Sequence, residues 1–164
     1  MSKHRKTPEA GTFAADMRDQ IAVRWAAVFD ALPAAIAGID PEGVHDVRVA
    51  SRRLRAAMDV AIDCFPEKWF RPLHRAARDI TAELGAVRDR DVLLEALAAE
   101  RAGAPPEDWP GIDRLIERID RERTTARATM LTFLGNFEAS GLPRDVRKRF
   151  GPSALGHLSR KEPR

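Results

Sequence analysis

Apolar residues recur along most of the chain at the three- and four-residue spacing that is typical of amphipathic α-helices. The first apolar stripe consists of Phe13, Met17, Ile21, Trp25, Val28 and Leu32. This stripe predicts a helix over residues 12–37, with Gly38 as its stop signal. A second helix is predicted to begin at Pro41, behind the N-cap residue Asp40, and to run to about Cys64.

Two further helices follow by the same criterion. The third is predicted to begin within residues 66–72 and to end near Arg101, where a Pro-rich loop follows. The fourth is predicted from Pro110 to about Ala139. No useful stretch alternates with the two-residue period of a strand. The sequence therefore predicts an all-α fold, a four-helix bundle with short connections.

The charges are distributed unevenly around this bundle. The formal net charge is +3, but residues 1–9 carry +2 and residues 144–164 carry +5, which leaves −4 for the rest. The chain accordingly divides into a basic N-terminal tail (1–11), the helical bundle (12–139) and a basic C-terminal tail (140–164) with at most one short helix near residues 144–150. Because the body is slightly acidic, a site for a polyanion has to be a local patch.

Several functional classes receive little support from the sequence. Cys64 is the single cysteine and no apolar run approaches the roughly 20 residues of a membrane span, so we expect a cytoplasmic protein without a membrane partner. No Gly-rich phosphate loop or nucleophile motif is present, and we expect neither enzymatic activity nor a cofactor. Asp89 and Asp91 could suggest magnesium, but balancing of nearby arginines is favoured, and we expect no metal site.

The segment VHDVRVASRRLRAAMD, residues 44–59, concentrates positive charge on the second predicted helix. At 100° per residue, a stripe about 80° wide at the border of the apolar face holds four basic residues: His45, Arg48, Arg52 and Arg55. Arg53 lies on the other side of the helix. Like charges one turn apart are unfavourable by a few tenths of a kcal/mol per pair. Something is therefore expected to compensate them.

The next two helices repeat this arrangement. Arg71, His74 and Arg78 share one stripe of the third helix, and Gly85 and Arg88 continue it. The fourth helix places Arg123 within its apolar stripe and Arg127 at the edge. One interpretation is that these rows are neutralised within the bundle by four aspartates: Asp46, Asp59, Asp89 and Asp91. The other is a bound polyanion, which we favour because basic groups on the stripes outnumber acidic ones.

The segment VHDVRVASRRLRAAMD followed by LGAVRDRDVLLEAL resembles the signature of the CHAD domain, the conserved histidine α-helical domain. The resemblance covers roughly residues 12–137. It implies an all-helical protein that binds inorganic polyphosphate through basic residues on inner helix faces, in the cytoplasm and at polyphosphate granules. The implied site comprises His45, Arg48, Arg52, Arg53, Arg55, Arg78 and Arg88, with His74 where the family often has arginine. Arg123 and Arg127 join this set through their stripe positions.

The resemblance also has consequences for assembly. A complete CHAD domain resembles two four-helix halves related by a pseudo-twofold axis, and here no second His-x-x-Arg row follows residue 101. We therefore expect a homodimer in which the basic rows of two chains face a shared anion path. Two other functions stay open, namely nucleic-acid binding through the same phosphate chemistry and a purely structural or adaptor bundle.

Overall fold

The computed structural model describes residues 8–160 of the chain, with side chains up to 158. The elements are five α-helices and one 3₁₀ segment: α1 Phe13–Ala37, α2 Pro41–Val60, α3 Glu67–Gly103, α4 Trp109–Ala139, α5 Leu142–Phe150 and the 3₁₀ segment Pro152–Arg160. No strand occurs within these described residues. The predicted all-α class is therefore confirmed.

The helix boundaries follow from local capping chemistry. The Asp40 side chain accepts a hydrogen bond from the Glu42 backbone N–H at 2.9 Å and so begins α2, with Pro41 in its first turn. Gly38 closes α1 in the left-handed conformation at φ 65°. The prediction that α2 reaches Cys64 is wrong: the helix ends at Val60 and the following residues turn before Pro66.

Consecutive helices pack against each other, so that α2 lies between α1 and α3, and α3 lies between α2 and α4. Three aromatic rings pack together in the core. The ring centroid of Phe137 in α4 lies 6.5 Å from that of Trp25 and 6.1 Å from that of Phe29, both in α1. Gly43 allows α1 and α2 to approach closely. A Cβ atom at this position would lie 2.7 Å from the Ala34 carbonyl carbon. Glycine is therefore required there by packing.

Helix α1 is long and apolar enough to cross a membrane by length and composition alone. In this fold the helix supplies seven buried residues to the bundle: Ile21, Ala22, Trp25, Val28, Phe29, Leu32 and Ala35. The core helix of a soluble protein meets the same criterion. We interpret its apolar character as core packing.

The C-terminal residues differ from the expected basic tail. Helix α5 and the 3₁₀ segment lie against α1 and bury Val146, Phe150, Ala154 and Leu155 in the main core. The Asp30 carboxylate of α1 accepts a hydrogen bond from the His157 backbone N–H at 2.5 Å. Residues 142–158 thus belong to the bundle, since their apolar side chains join the main core. Of the predicted N-terminal tail, residues 1–7 lie outside the described part.

Helices α3 and α4 extend beyond the other two as a paired hairpin. With a rise of 1.5 Å per residue, α3 is about 55 Å long, whereas the 20 residues of α2 span about 30 Å. Near the end of α3, the Arg101 guanidinium donates to Asp113 of α4 and lies 4.7 Å from the Trp109 ring centroid. The hydrogen bond from Arg101 lowers the pKa of Asp113.

Candidate functional site

Three contacts fix how α2 lies along α3. The Thr81 hydroxyl of α3 is 3.1 Å from the Ser51 hydroxyl of α2, and His74 Nε2 is 2.6 Å from Asp59 Oδ1. Arg48 Nε lies 3.8 Å from the position that a Cβ atom on Gly85 would occupy. The two helices are therefore antiparallel in register. We call the surface along which α2 and α3 meet the basic groove. It is bordered by His45, Arg48, Arg52 and Arg55 from α2 and by His74, Arg78, Gly85 and Arg88 from α3.

The four α2 residues of the groove form what we call the α2 row: His45, Arg48, Arg52 and Arg55. Within the described part of the chain, none of them has a hydrogen-bond or ion-pair partner on its side chain. Arg48 is the most confined of the four, since its Nε atom is buried and has no acceptor there. Buried polar groups are normally hydrogen-bonded, and an orphaned donor costs free energy. The α2 row thus holds three uncompensated arginine charges, with the His45 imidazole beside them, at a helix border.

The α3 side of the groove is different, because its basic residues have carboxylate partners. His74 meets Asp59, Arg78 contacts Asp79 at 3.2 Å, and Arg88 contacts Glu95 at 3.4 Å. The carboxylates themselves are 54%, 42% and 60% exposed. Exposed pairs of this kind contribute about 0–1 kcal/mol each. A stronger anion in the groove could therefore displace them at little cost.

The structure separates Arg53 from these residues. It lies on the side of α2 that faces α1, where it lines a shallow surface groove with Arg24, Asp46 and the apolar residues Val23 and Ala27. The sequence had already placed Arg53 on the other side of its helix. A ligand lying along the basic groove would not reach Arg53 from there, although the family resemblance implies a binding role for it.

Arg123 and Arg127 have protein partners instead of an open groove. The Arg123 Nε–H donates to Asp91, which is 4% exposed, and the pair joins α4 to α3. Arg127 donates to the carbonyl oxygens of Ala35 at 3.1 Å and Ile36 at 2.8 Å, in the last turn of α1. These carbonyls lack partners within their own helix. Both arginines therefore stabilise the bundle, and we leave them outside the proposed site.

The interpretation that aspartates neutralise the basic rows within the bundle holds for some of these residues. Asp91 neutralises Arg123 and Asp59 pairs with His74, as that interpretation requires. Asp89 is exposed whereas Asp91 is buried, so these two aspartates point apart and do not form a magnesium site together. Among the residues that the structure describes, no group of three or more His, Cys, Asp or Glu side chains is placed to hold a metal ion.

Sequence reasoning missed the residues at the floor of the groove. Ser51 is fully buried within the apolar stripe of α2, and its hydroxyl donates to the Arg48 carbonyl oxygen at 3.1 Å. Thr81 faces it from α3. A small polar residue in an apolar stripe is the signal that could have indicated a helix–helix hydrogen bond.

The fold and the groove together define an all-helical bundle in which one helix carries a row of basic side chains without partners in the described part of the chain. The family model of the CHAD domain matches residues 19–163, which is most of the chain. The chain therefore belongs to the CHAD domain family. No match was found among curated proteins or among solved structures.

Proposed function

We propose that the basic groove binds inorganic polyphosphate, or a related phosphorylated polyanion, without changing it chemically. The observation that carries the proposal is the α2 row, which has no side-chain partners within the described residues. The basic residues that face it from α3, namely His74, Arg78 and Arg88, do have carboxylate partners. Membership of the CHAD domain family supports the same ligand class. The proposal places the protein in the cytoplasm, where polyphosphate granules would concentrate it.

The geometry of the α2 row suits a linear anion. From His45 to Arg55 the helix rises by about 15 Å, so the four side chains follow one another along the groove. Arginine donates charge-assisted hydrogen bonds in a planar fork, which matches phosphate oxygens. A chain with negative charge at every link would also relieve the repulsion within the row. Release of condensed counterions adds a favourable entropy to the association.

Binding is therefore expected to weaken steeply with salt. If the three arginines of the α2 row each neutralise one phosphate, the logarithm of affinity should fall linearly with the logarithm of salt concentration, with a slope of roughly −2. Titration calorimetry with polyphosphate of defined chain length, at several salt concentrations, measures this slope. A folded protein that gives no heat of binding at low salt would contradict the proposal and leave the structural-bundle alternative.

Nucleic acid is the second candidate ligand, and one observation disfavours it. Proteins that bind single strands usually stack bases on exposed aromatic rings. Trp25 is buried in the core, and the Arg149 guanidinium covers the Trp69 ring. Trp109 lies on the α3–α4 hairpin. None of the three borders the basic groove. Single-stranded DNA of equal charge is therefore expected to bind more weakly than polyphosphate in the same titration.

Polyphosphate is also expected to promote a homodimer. Two like-charged grooves repel each other until an anion lies between them, and a twofold interface would then place both rows on one ligand. By linkage, the dimer should bind polyphosphate more tightly than the monomer does. Light scattering coupled to size exclusion should show a mass of about twice 18.3 kDa with the ligand present. An 18.3 kDa species under both conditions would contradict the dimer but not the binding.

A further inference from the structure

Gly85 occupies a position that packing alone does not explain. It lies in the middle of α3, where glycine is less stable than alanine because it loses more conformational freedom on folding. Its φ angle is not among the positive ones, so no left-handed conformation requires it. A Cβ atom at Gly85 would meet Arg48 Nε at 3.8 Å, which is an ordinary contact. Alanine would therefore fit in the protein as it stands.

Gly43, in contrast, is a position where the close packing of two helices does require glycine. There a Cβ atom would lie within 3 Å of three backbone atoms of α1. At Gly85 no backbone atom of another helix comes within 4 Å. Nor does Gly85 break the helix, since α3 continues through it from Glu67 to Gly103. Neither helix packing nor helix bending therefore requires a glycine at this point of the groove.

A second observation concerns the same small region. The atom nearest to the missing Cβ of Gly85 is Arg48 Nε, which is a buried donor without an acceptor in the described part of the chain. An unpaired donor in such a place is a cost that a ligand can remove. Gly85 is half-buried beside the Arg48 side chain, so an acceptor would reach Arg48 Nε once that side chain shifts on binding. The orphaned donor and the adjacent bare Cα therefore point to one position for an acceptor.

We propose that Gly85 forms the seat of one phosphate group, which rests against its bare Cα and accepts a hydrogen bond from Arg48 Nε. This inference rests on the proposed function and specifies its deepest contact. A methyl group at residue 85 would hold a phosphate oxygen away from the helix and away from Arg48. The glycine thus lowers helix stability but increases the depth of the groove.

The two effects of Gly85→Ala are expected to have opposite signs. The melting temperature should rise by about 2–4 °C, because alanine is the better helix former. Affinity for polyphosphate of defined length should fall about tenfold, through the weakened charge-assisted hydrogen bond. Gly135→Ala is the matched control, since Gly135 lies in α4 with nothing within 4 Å of its missing Cβ. It should give a similar rise in melting temperature with unchanged affinity.

Each outcome of this comparison is decisive. If Gly85→Ala binds as tightly as the unaltered chain, or if it melts at a lower temperature, the phosphate seat is wrong. If the unaltered chain does not bind, the proposed function fails first and the inference fails with it. A cycle with Arg48→Ala tests the link to the guanidinium: in that background, Gly85→Ala should change the affinity by less than about twofold.

Discussion

Arg52→Glu is expected to weaken polyphosphate binding about a hundredfold, whereas Arg53→Glu should leave it within about threefold. Reversal at residue 52 removes a charge-assisted hydrogen bond, which is worth about 1.5–3 kcal/mol, and puts a repelling carboxylate into the basic groove. Reversal at residue 53 makes the same change of charge on the side of α2 that faces α1. Calorimetric titration of both variants, at one salt concentration, measures the difference.

The pair forms a sharp control because the two residues are adjacent, exposed and on one helix. Both substitutions should change the free energy of unfolding by less than about 0.5 kcal/mol, since exposed side chains away from caps and cores contribute little. Equal losses of affinity would mean that the ligand responds to total charge rather than to the groove. A larger loss for Arg53→Glu would move the site to the α1–α2 face and restore the role that the family resemblance implies for Arg53.

The fold was predictable where apolar spacing was regular. The stripes of the four long helices predicted their order and approximate ends, and the caps at Asp40 and Gly38 are where the sequence indicated. The C-terminal segment was not predictable in the same way. Its arginines and glycines are typical of a solvated tail, whereas burial depends on tertiary contacts such as those of the Phe150 ring with Phe65 and Trp69. Those contacts join residues more than 80 positions apart, which no local pattern reports.

The site was predictable to the extent that helical spacing determines on which face of its helix each side chain lies. Spacing placed His45, Arg48, Arg52 and Arg55 on one border of α2, and it separated Arg53 from them. It could not supply the partners that come from another helix, because the register between two helices is not contained in the sequence of either. Arg123 shows this limit. Its place in an apolar stripe signalled a special role, but that role is an ion pair with Asp91.

Arg123→Met is therefore expected to lower the free energy of unfolding by about 3 kcal/mol, without a direct effect on the groove. The substitution leaves the Asp91 carboxylate in the core without its counterion, and breaking a buried pair typically costs about 3–5 kcal/mol. The lower value applies because the Arg123 side chain is 28% exposed. Urea unfolding followed by circular dichroism measures the loss. Arg118→Met removes the exposed pair with Glu122 from the same helix and should cost less than about 0.5 kcal/mol.

Replacing both partners of the buried pair separates the cost of an unpaired charge from the value of the pair itself. Among the described residues Asp91 Oδ2 is buried without a hydrogen-bond partner, so the ion pair compensates the desolvation of this carboxylate incompletely. Apolar side chains of similar size often replace such pairs with no loss of stability. The double variant Asp91→Leu with Arg123→Met should therefore recover most of the 3 kcal/mol or so lost in the single variant. Its polyphosphate affinity should also match that of the unaltered chain, because neither residue borders the groove. A double variant that is stable but binds weakly would instead place Arg123 in contact with the ligand.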